Sequence, residues 1–209
     1  KKYHAAFGES IKIYDFKWCN DFSAARNFAL DQCTKDWIFI LDADEILPEL
    51  DRSKLYPLTA YRYETRNYTD NILWTGNRNC TGEYGEDEKG QFWFPSTKIR
   101  LFPNDRRIRF QYPVHEVVEE SVYQLGLFVD TSPVPVHHYG KYNEDQDLEK
   151  GKQYLELLQQ IVEDSPADIR NMEQLALTYQ ARKEWDKAIQ IWDRILALKL
   201  DNKVAWHNI

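Results

Sequence analysis

Residues 37–45 read Trp-Ile-Phe-Ile-Leu-Asp-Ala-Asp-Glu, an unbroken apolar run that stops on carboxylates. A short run of aromatic and β-branched residues bounded in this way reads as a strand buried on both faces, as in a parallel sheet covered by helices. That requirement points to an α/β architecture, because such a strand needs other layers around it. On a strand, residues i and i+2 leave from the same face, so Asp42 and Asp44 are expected to address one point in space. Like charges held together repel unless a proton or a cation lies between them. The carboxyl end of a central strand is also where open α/β sheets hold ligands. The pair therefore suits a hard divalent cation, Mg²⁺ or Mn²⁺, that bridges to a substrate phosphate. The competing assignment is a helix cap or a solvated turn.

Upstream, Asp21-Phe-Ser-Ala-Ala-Arg-Asn-Phe-Ala-Leu30 predicts a helix with Asp21 or Ser23 as its N-cap. Ala24, Ala25, Phe28 and Ala29 form its apolar face. Arg26 and Asn27 fall in the first turn, where the helix dipole disfavours a cation. A local rule broken there marks Arg26 as a functional candidate, unless it simply pairs with Asp21 or Asp31.

An Ala-Arg-Asn helix followed by a hydrophobic strand ending in Asp-x-Asp-Glu resembles the family 2 glycosyltransferases, which have the GT-A fold. The resemblance covers about residues 10–140 and is most specific over 21–45. It implies a Rossmann-like mixed sheet with flanking helices. It also implies a nucleotide-sugar-dependent enzyme of the hexosyltransferase type. Its donor is a nucleotide-diphosphate sugar and its cofactor a divalent metal, Mn or Mg. Asp42, Asp44, Arg26 and Arg100 are then expected at the donor and cofactor, with Asp42 and Asp44 on the metal. A complete domain of this family begins with a strand, a helix and a second strand whose acidic turn holds the nucleotide base. Here residues 1–8 read as the end of the second helix and Ile11–Phe16 as the third strand, so the nucleotide-base half is expected to be missing from the sequence as given.

Further along, Ser96-Thr-Lys-Ile-Arg-Leu-Phe102 and Val114-His-Glu116 are similar to the carboxyl half of the same family. Adjacent His115 and Glu116 would face opposite ways on a strand unless the chain bends. Transfer with inversion needs a base for the acceptor hydroxyl, which a partly desolvated carboxylate supplies well. Glu116 is the candidate base, with His115 as its orienter or substitute. In Val134-Pro-Val-His-His-Tyr-Gly140, the resemblance allows His138 or His137 to complete the metal site, and His138 is preferred. Lys98 and Arg100 share a strand face and would offset diphosphate charge. Between Thr75 and Gly90, a polar, glycine-rich stretch reads as a mobile loop beside the site.

Up to residue 141 short strand-like runs alternate with turn residues, at Ile11–Phe16, Ala60–Arg66, Gln91–Phe94, Lys98–Phe102, Ile108–Gln111 and Val134–His138. After Lys141 the pattern turns helical. Leu175, Ala176, Tyr179, Ala188 and Trp192 match the small and aromatic positions of a tetratricopeptide repeat, whose period is about 34 residues. One period separates Met172 from Trp206 and Leu158 from Trp192. The expected division is a partial GT-A-like domain over 1–140 and a tetratricopeptide-like helical region over 141–209.

Composition narrows the partners. With 27 basic against 34 acidic residues the net charge is −7, which disfavours nucleic acid. No apolar stretch approaches the ~18 residues of a membrane span. Cys19, Cys33 and Cys80 lack metal-ligand spacing and read as reduced thiols, consistent with a cytoplasmic location, with attachment to the inner membrane face as a variant. The expected activity is sugar transfer to a hydroxyl of a glycan, a lipid-linked saccharide or a protein, with a possible protein partner on the repeats. The alternative is a non-catalytic transferase-like scaffold carrying a tetratricopeptide interaction module.

Overall fold

The computed structural model describes residues 11–71, 76–140 and 144–208, the side chains of 144–150 excepted. The chain divides into two compact units, Lys1–Tyr142 and Asn143–Ile209. The first is a mixed α/β unit of the GT-A-like kind and the second is all helical.

In the first unit, helix α1 (Phe22–Asp31) starts at Asp21, whose carboxylate accepts from the Ala24 amide at 2.9 Å. Strand β1 (Trp37–Phe39) leads through a turn into β2 (Glu45–Ile46). The long strands β3 (Thr59–Thr69) and β5 (Phe92–Pro103) pair antiparallel and form the middle of a seven-stranded sheet. The short β4 (Arg78–Asn79) joins β5, and β6 (Phe128–Thr131) and β7 (Val136–His138) lie parallel to β3. Helix α2 (Glu119–Gln124) precedes β6. The sheet path runs β1-β5-β3-β7-β2. Ile38, Ile99, Phe102, Ile108 and Phe110 pack with Leu30 of α1 and Val122 of α2. Tyr61, Tyr63, Leu101 and Val136 form a second core with Trp37 and Phe39 against it. Alternation along β1 thus feeds two cores, as a strand covered on both faces requires.

Three expectations about strands need correction. β1 is three residues long and its partner β5 is antiparallel, not parallel. The chain stays extended to Ile40, whose amide bonds to the Arg100 carbonyl at 2.8 Å, and then leaves the sheet. Ile11–Phe16 joins none of the described ladders, and the expected helix end over residues 1–8 lies outside the described residues. Ile108–Gln111 forms only a bridge between Gln111 and Val117, because side chains replace the neighbouring strand. The Asn27 carboxamide bonds both the amide and the carbonyl of Phe110 at 2.9 Å, and the Ser121 hydroxyl does the same for Arg109 at 3.0 and 2.9 Å. By contrast, the runs 91–94 and 98–102 fuse into β5 across Pro95. β4 and β1 flank β5 only at its two ends, so Pro95 faces an edge with no described neighbour.

In the second unit, α3 (Glu144–Asp164), α4 (Ile169–Ala181), α5 (Trp185–Leu198) and α6 (Lys203–Asn208) follow one another. Leu175, Ala176, Tyr179, Ala188 and Trp192 are all buried, and so is Leu158. These are the positions the repeat pattern marks, and the region is tetratricopeptide-like. Met172 is fully buried, whereas Trp206, one period on, is 61 % exposed. No described helix is long and apolar enough to cross a membrane.

Candidate functional site

The Asp42–Glu45 segment is a turn, closed from both sides. The Glu45 amide donates to the Asp42 carbonyl at 3.1 Å, and the Asp42 amide donates to the Glu45 carboxylate at 2.9 Å. Period-two alternation does not apply in a turn, so the two aspartates take different partners instead of sharing one focus.

Asp44 turns toward β7. The Tyr139 amide donates to its carbonyl at 3.0 Å, and Glu45 and His138 are paired in register. Its Oδ2 thereby lies 3.5 Å from Nε2 of His138. On the far side of that ring, Nδ1 lies 2.8 Å from Oδ1 of Asn67, the register neighbour of His138 on β3. The Asn67 amide nitrogen donates to the Phe94 carbonyl and the Ser96 hydroxyl at 3.0 and 3.1 Å, which leaves its oxygen as an acceptor. Nδ1 therefore carries a proton, assigned from this network, and Nε2 is the ring atom that faces Asp44. Gly140 completes the corner, since a Cβ there would sit 2.5 Å from Asp44 Oδ2 and 2.7 Å from His138 Nε2. Across 3.5 Å, an imidazole nitrogen and a carboxylate oxygen meet through a shared proton or through a cation. A carboxylate oxygen and an imidazole nitrogen suit Mn²⁺ well and Mg²⁺ less so, with the remaining ligands drawn from water and phosphate. Among the described residues no group of three or more His, Cys, Asp or Glu is placed to hold a metal ion, so the protein side of such a site is this pair.

Asp42 turns the other way, toward α1. The Arg26 guanidinium reaches its Oδ1 through Nη2 at 2.6 Å and the Glu116 carboxylate through Nε at 3.2 Å. Burial alone would raise the Asp42 carboxyl, but Arg26, with Lys98 and Arg100 further off, holds it below its ordinary value. Burial likewise opposes the Arg26 charge, yet Asp42 and Glu116 raise the guanidinium above its usual range. Arg26 thus pairs with neither Asp21 nor Asp31.

Glu116 reaches this cluster because residues 112–116 form a loop closed by the Gln111–Val117 bridge. Tyr112 and His115 both have left-handed backbones, with φ of 76° and 53°. The Pro113 carbonyl accepts from the Phe22 amide at the start of α1 at 2.9 Å. The bend parts the neighbours: Glu116 faces Arg26 with its side chain 16 % exposed, and His115 is exposed.

Arg100 is placed differently from the expectation. The β3–β5 register skips it, as Tyr61 pairs with Leu101 and Arg62 with Ile99, and this bulge turns its side chain inward. It is 1 % exposed and forms a two-pronged ion pair with Glu45, both contacts at 2.6 Å, so it has no free edge for a diphosphate. Lys98 remains exposed, and its charge reaches Asp42. His137 is fully buried, with Nδ1 2.6 Å from the Tyr68 hydroxyl, and burial lowers its pKa.

The stretch expected to be a mobile loop is tied down over its described part, 76–90. The Arg66 guanidinium lies between the rings of Tyr84 and Trp93, 4.4 and 4.5 Å from their centres, and pairs with Glu83 and Glu88 at 3.0 and 3.4 Å. The Tyr139 hydroxyl donates to the Asp87 carbonyl at 2.9 Å.

Sequence reasoning missed Asn67, Gly140 and the role of Glu45. Only Glu45, by its place after the second aspartate, carried a local signal.

Residues 1–61 match the family model described as glycosyl transferase family 2. A TPR repeat-containing protein of Synechococcus elongatus is 34 % identical over 155 residues, covering 67 % of this chain and 32 % of that protein. The SPbeta prophage-derived glycosyltransferase SunS of Bacillus subtilis is 28 % identical over 144 residues, covering 68 % of this chain and 30 % of its own length. The glycosyltransferase SunS of Bacillus phage SPbeta gives the same figures. The chain spans about a third of the length of these curated relatives. The opening 61 residues are thus similar to family 2 glycosyltransferases, and they lead into a mixed sheet of the GT-A-like kind followed by a tetratricopeptide-like helical region.

Proposed function

We propose that this chain belongs to an enzyme that transfers a sugar from a nucleotide-diphosphate sugar to an acceptor hydroxyl, with divalent-metal dependence and inversion at the anomeric carbon. The observation that carries this reading is the convergence of Arg26, Asp42 and Glu116 in one ion-paired cluster, on the turn whose other carboxylate faces His138. Asp44 and His138 are the residues that would hold the metal. A divalent cation bound there supplies electrophilic stabilisation to the departing diphosphate. Glu116 accepts the proton of the acceptor hydroxyl as that oxygen attacks. Arg26 orients Glu116 and holds Asp42 in place, and Lys98 adds positive charge where the donor phosphates would lie. His115, exposed at the bend, is the substitute for Glu116 as base. Free thiols at Cys19, Cys33 and Cys80 accord with a cytoplasmic setting.

The test is donor hydrolysis or transfer by the full-length gene product, across a panel of nucleotide sugars with Mn²⁺. Asp44→Ala is expected to abolish turnover with the fold intact. Unchanged turnover would remove Asp44 from the mechanism.

The tetratricopeptide-like region and the name of the Synechococcus relative favour a second activity, binding of a protein partner or protein acceptor through the repeats. In its extreme form the transferase unit is only a scaffold. Calorimetry with Mn²⁺ and nucleoside diphosphates separates the two, since a scaffold binds neither.

A further inference from the structure

Glu45 and Arg100 are buried to a degree that stability does not explain. Their side chains are 1 % and 2 % exposed. Taking two charges out of water costs several kcal/mol per ion in real proteins, and apolar residues of similar volume often serve stability as well or better. What an apolar pair lacks is direction.

Arg100 makes four directed contacts. Nη1 donates to Glu45 Oε2 at 2.6 Å and to the Ile40 carbonyl at 3.3 Å. Nη2 donates to Glu45 Oε1 at 2.6 Å and to the Thr65 hydroxyl at 2.9 Å. Ile40 precedes the Asp42–Asp44 turn and Glu45 ends it, so one guanidinium grips both of its limbs. The Glu45 oxygen that meets Nη1 also accepts the Asp42 amide at 2.9 Å, which passes the grip into the turn itself. Thr65 lies two residues before Asn67 on β3, and Asn67 orients His138. Asp44 and His138 are therefore both referenced to the same strand.

We infer that Glu45 and Arg100 are positioning residues, which fix the turn so that Asp44 meets His138 at the separation a divalent cation needs. The inference rests on the reading of Asp44 and His138 as the metal-holding pair. Lysine cannot replace Arg100, because a single ammonium lacks the planar fork that reaches Ile40, Glu45 and Thr65 together.

The test is Mn²⁺ binding to the full chain, followed by the electron paramagnetic resonance of free Mn²⁺ and by calorimetry, with no nucleotide sugar present. Arg100→Lys and Glu45→Gln are expected to raise the Kd for Mn²⁺ about 10- to 100-fold, the usual range for groups that orient metal ligands. Thr65→Val, which removes one of the four contacts, is expected to give a smaller rise in the same direction. The double variant Glu45→Leu/Arg100→Met keeps the volume without the charges, so it tests binding in a fold that need not be weakened. Folded variants with a lowered thermal midpoint but wild-type Kd would make the pair merely structural and overturn the inference. Asp44→Ala is the separate control: Mn²⁺ binding that survives it, or is missing from the wild type, overturns the metal reading itself.

Discussion

The Asn67 carboxamide holds Nδ1 of His138 at 2.8 Å, and that contact decides which ring nitrogen faces Asp44. A residue outside any recognisable motif thus sets the protonation pattern of one inside it. Asn67→Leu removes the acceptor with little change of volume. It is expected to let the His138 ring populate both tautomers, read by nitrogen-15 NMR of the imidazole. Mn²⁺ affinity should fall about tenfold or more.

Gly140 is held to glycine by space. A methyl group there meets Asp44 Oδ2 at 2.5 Å and His138 Nε2 at 2.7 Å, so Gly140→Ala must push the two apart. Displacements near 1 Å cost about 100-fold in rate for well-positioned groups, and transfer activity should fall by that order. Circular dichroism should be unchanged.

Arg26 joins two carboxylates on different elements, Asp42 after β1 and Glu116 in the 112–116 loop. Arg26→Lys keeps the charge but cannot span both. Its expected signature is a fall in kcat of tenfold or more with the fold retained, and steady-state kinetics on the full-length protein checks it. A wild-type kcat would show that the bridge is dispensable.

His137 makes stability depend on pH. Burial lowers its pKa, so between its folded value and the ordinary histidine value the unfolded chain binds more protons. Stability from this group is complete above about pH 6.5 and is lost as the pH falls through and below it. Urea denaturation at pH 7.5 and 5.5 should show this loss, and His137→Phe should reduce it. Asp42 acts in a lower window: its folded pKa is depressed, so its contribution is present above about pH 4 and lost as acid protonates the paired carboxylate.

Trp192 is fully buried in the helical unit. Trp192→Ala should destabilise that unit by about 3–5 kcal/mol, the usual range for emptying a large aromatic site. Helical ellipticity should be lost at a correspondingly lower denaturant concentration.

What was legible in the sequence follows the range of the interactions. The repeat positions from Leu158 to Trp192 could be read because helical periodicity and burial are set by near neighbours. The α1 cap at Asp21 was readable for the same reason. Asp42 and Asp44 were found as chemistry but misplaced in geometry, because a run of five apolar residues does not reveal that the chain leaves the sheet after Ile40. Arg100 was misread because a bulge inverts its face, and a bulge depends on pairing with β3. Ile108–Gln111 has a strand's composition, but Asn27 and Ser121 satisfy its backbone, and neither is near it in sequence. Asn67 acts across the sheet, and Gly140 is tight because Asp44 arrives from far along the chain, so nothing local announced them.

The wedging of Arg66 between Tyr84 and Trp93 bears on how the 76–90 segment responds to ionic strength. The Debye length is about 10 Å at 0.1 M salt, and as it shortens with further salt the hold of Glu83 weakens first, because its side chain is 56 % exposed. Ring stacking and the nearly buried Glu88 are shielded from the bulk electrolyte. The 76–90 segment is accordingly expected to keep its grip on Arg66 as the electrolyte is concentrated.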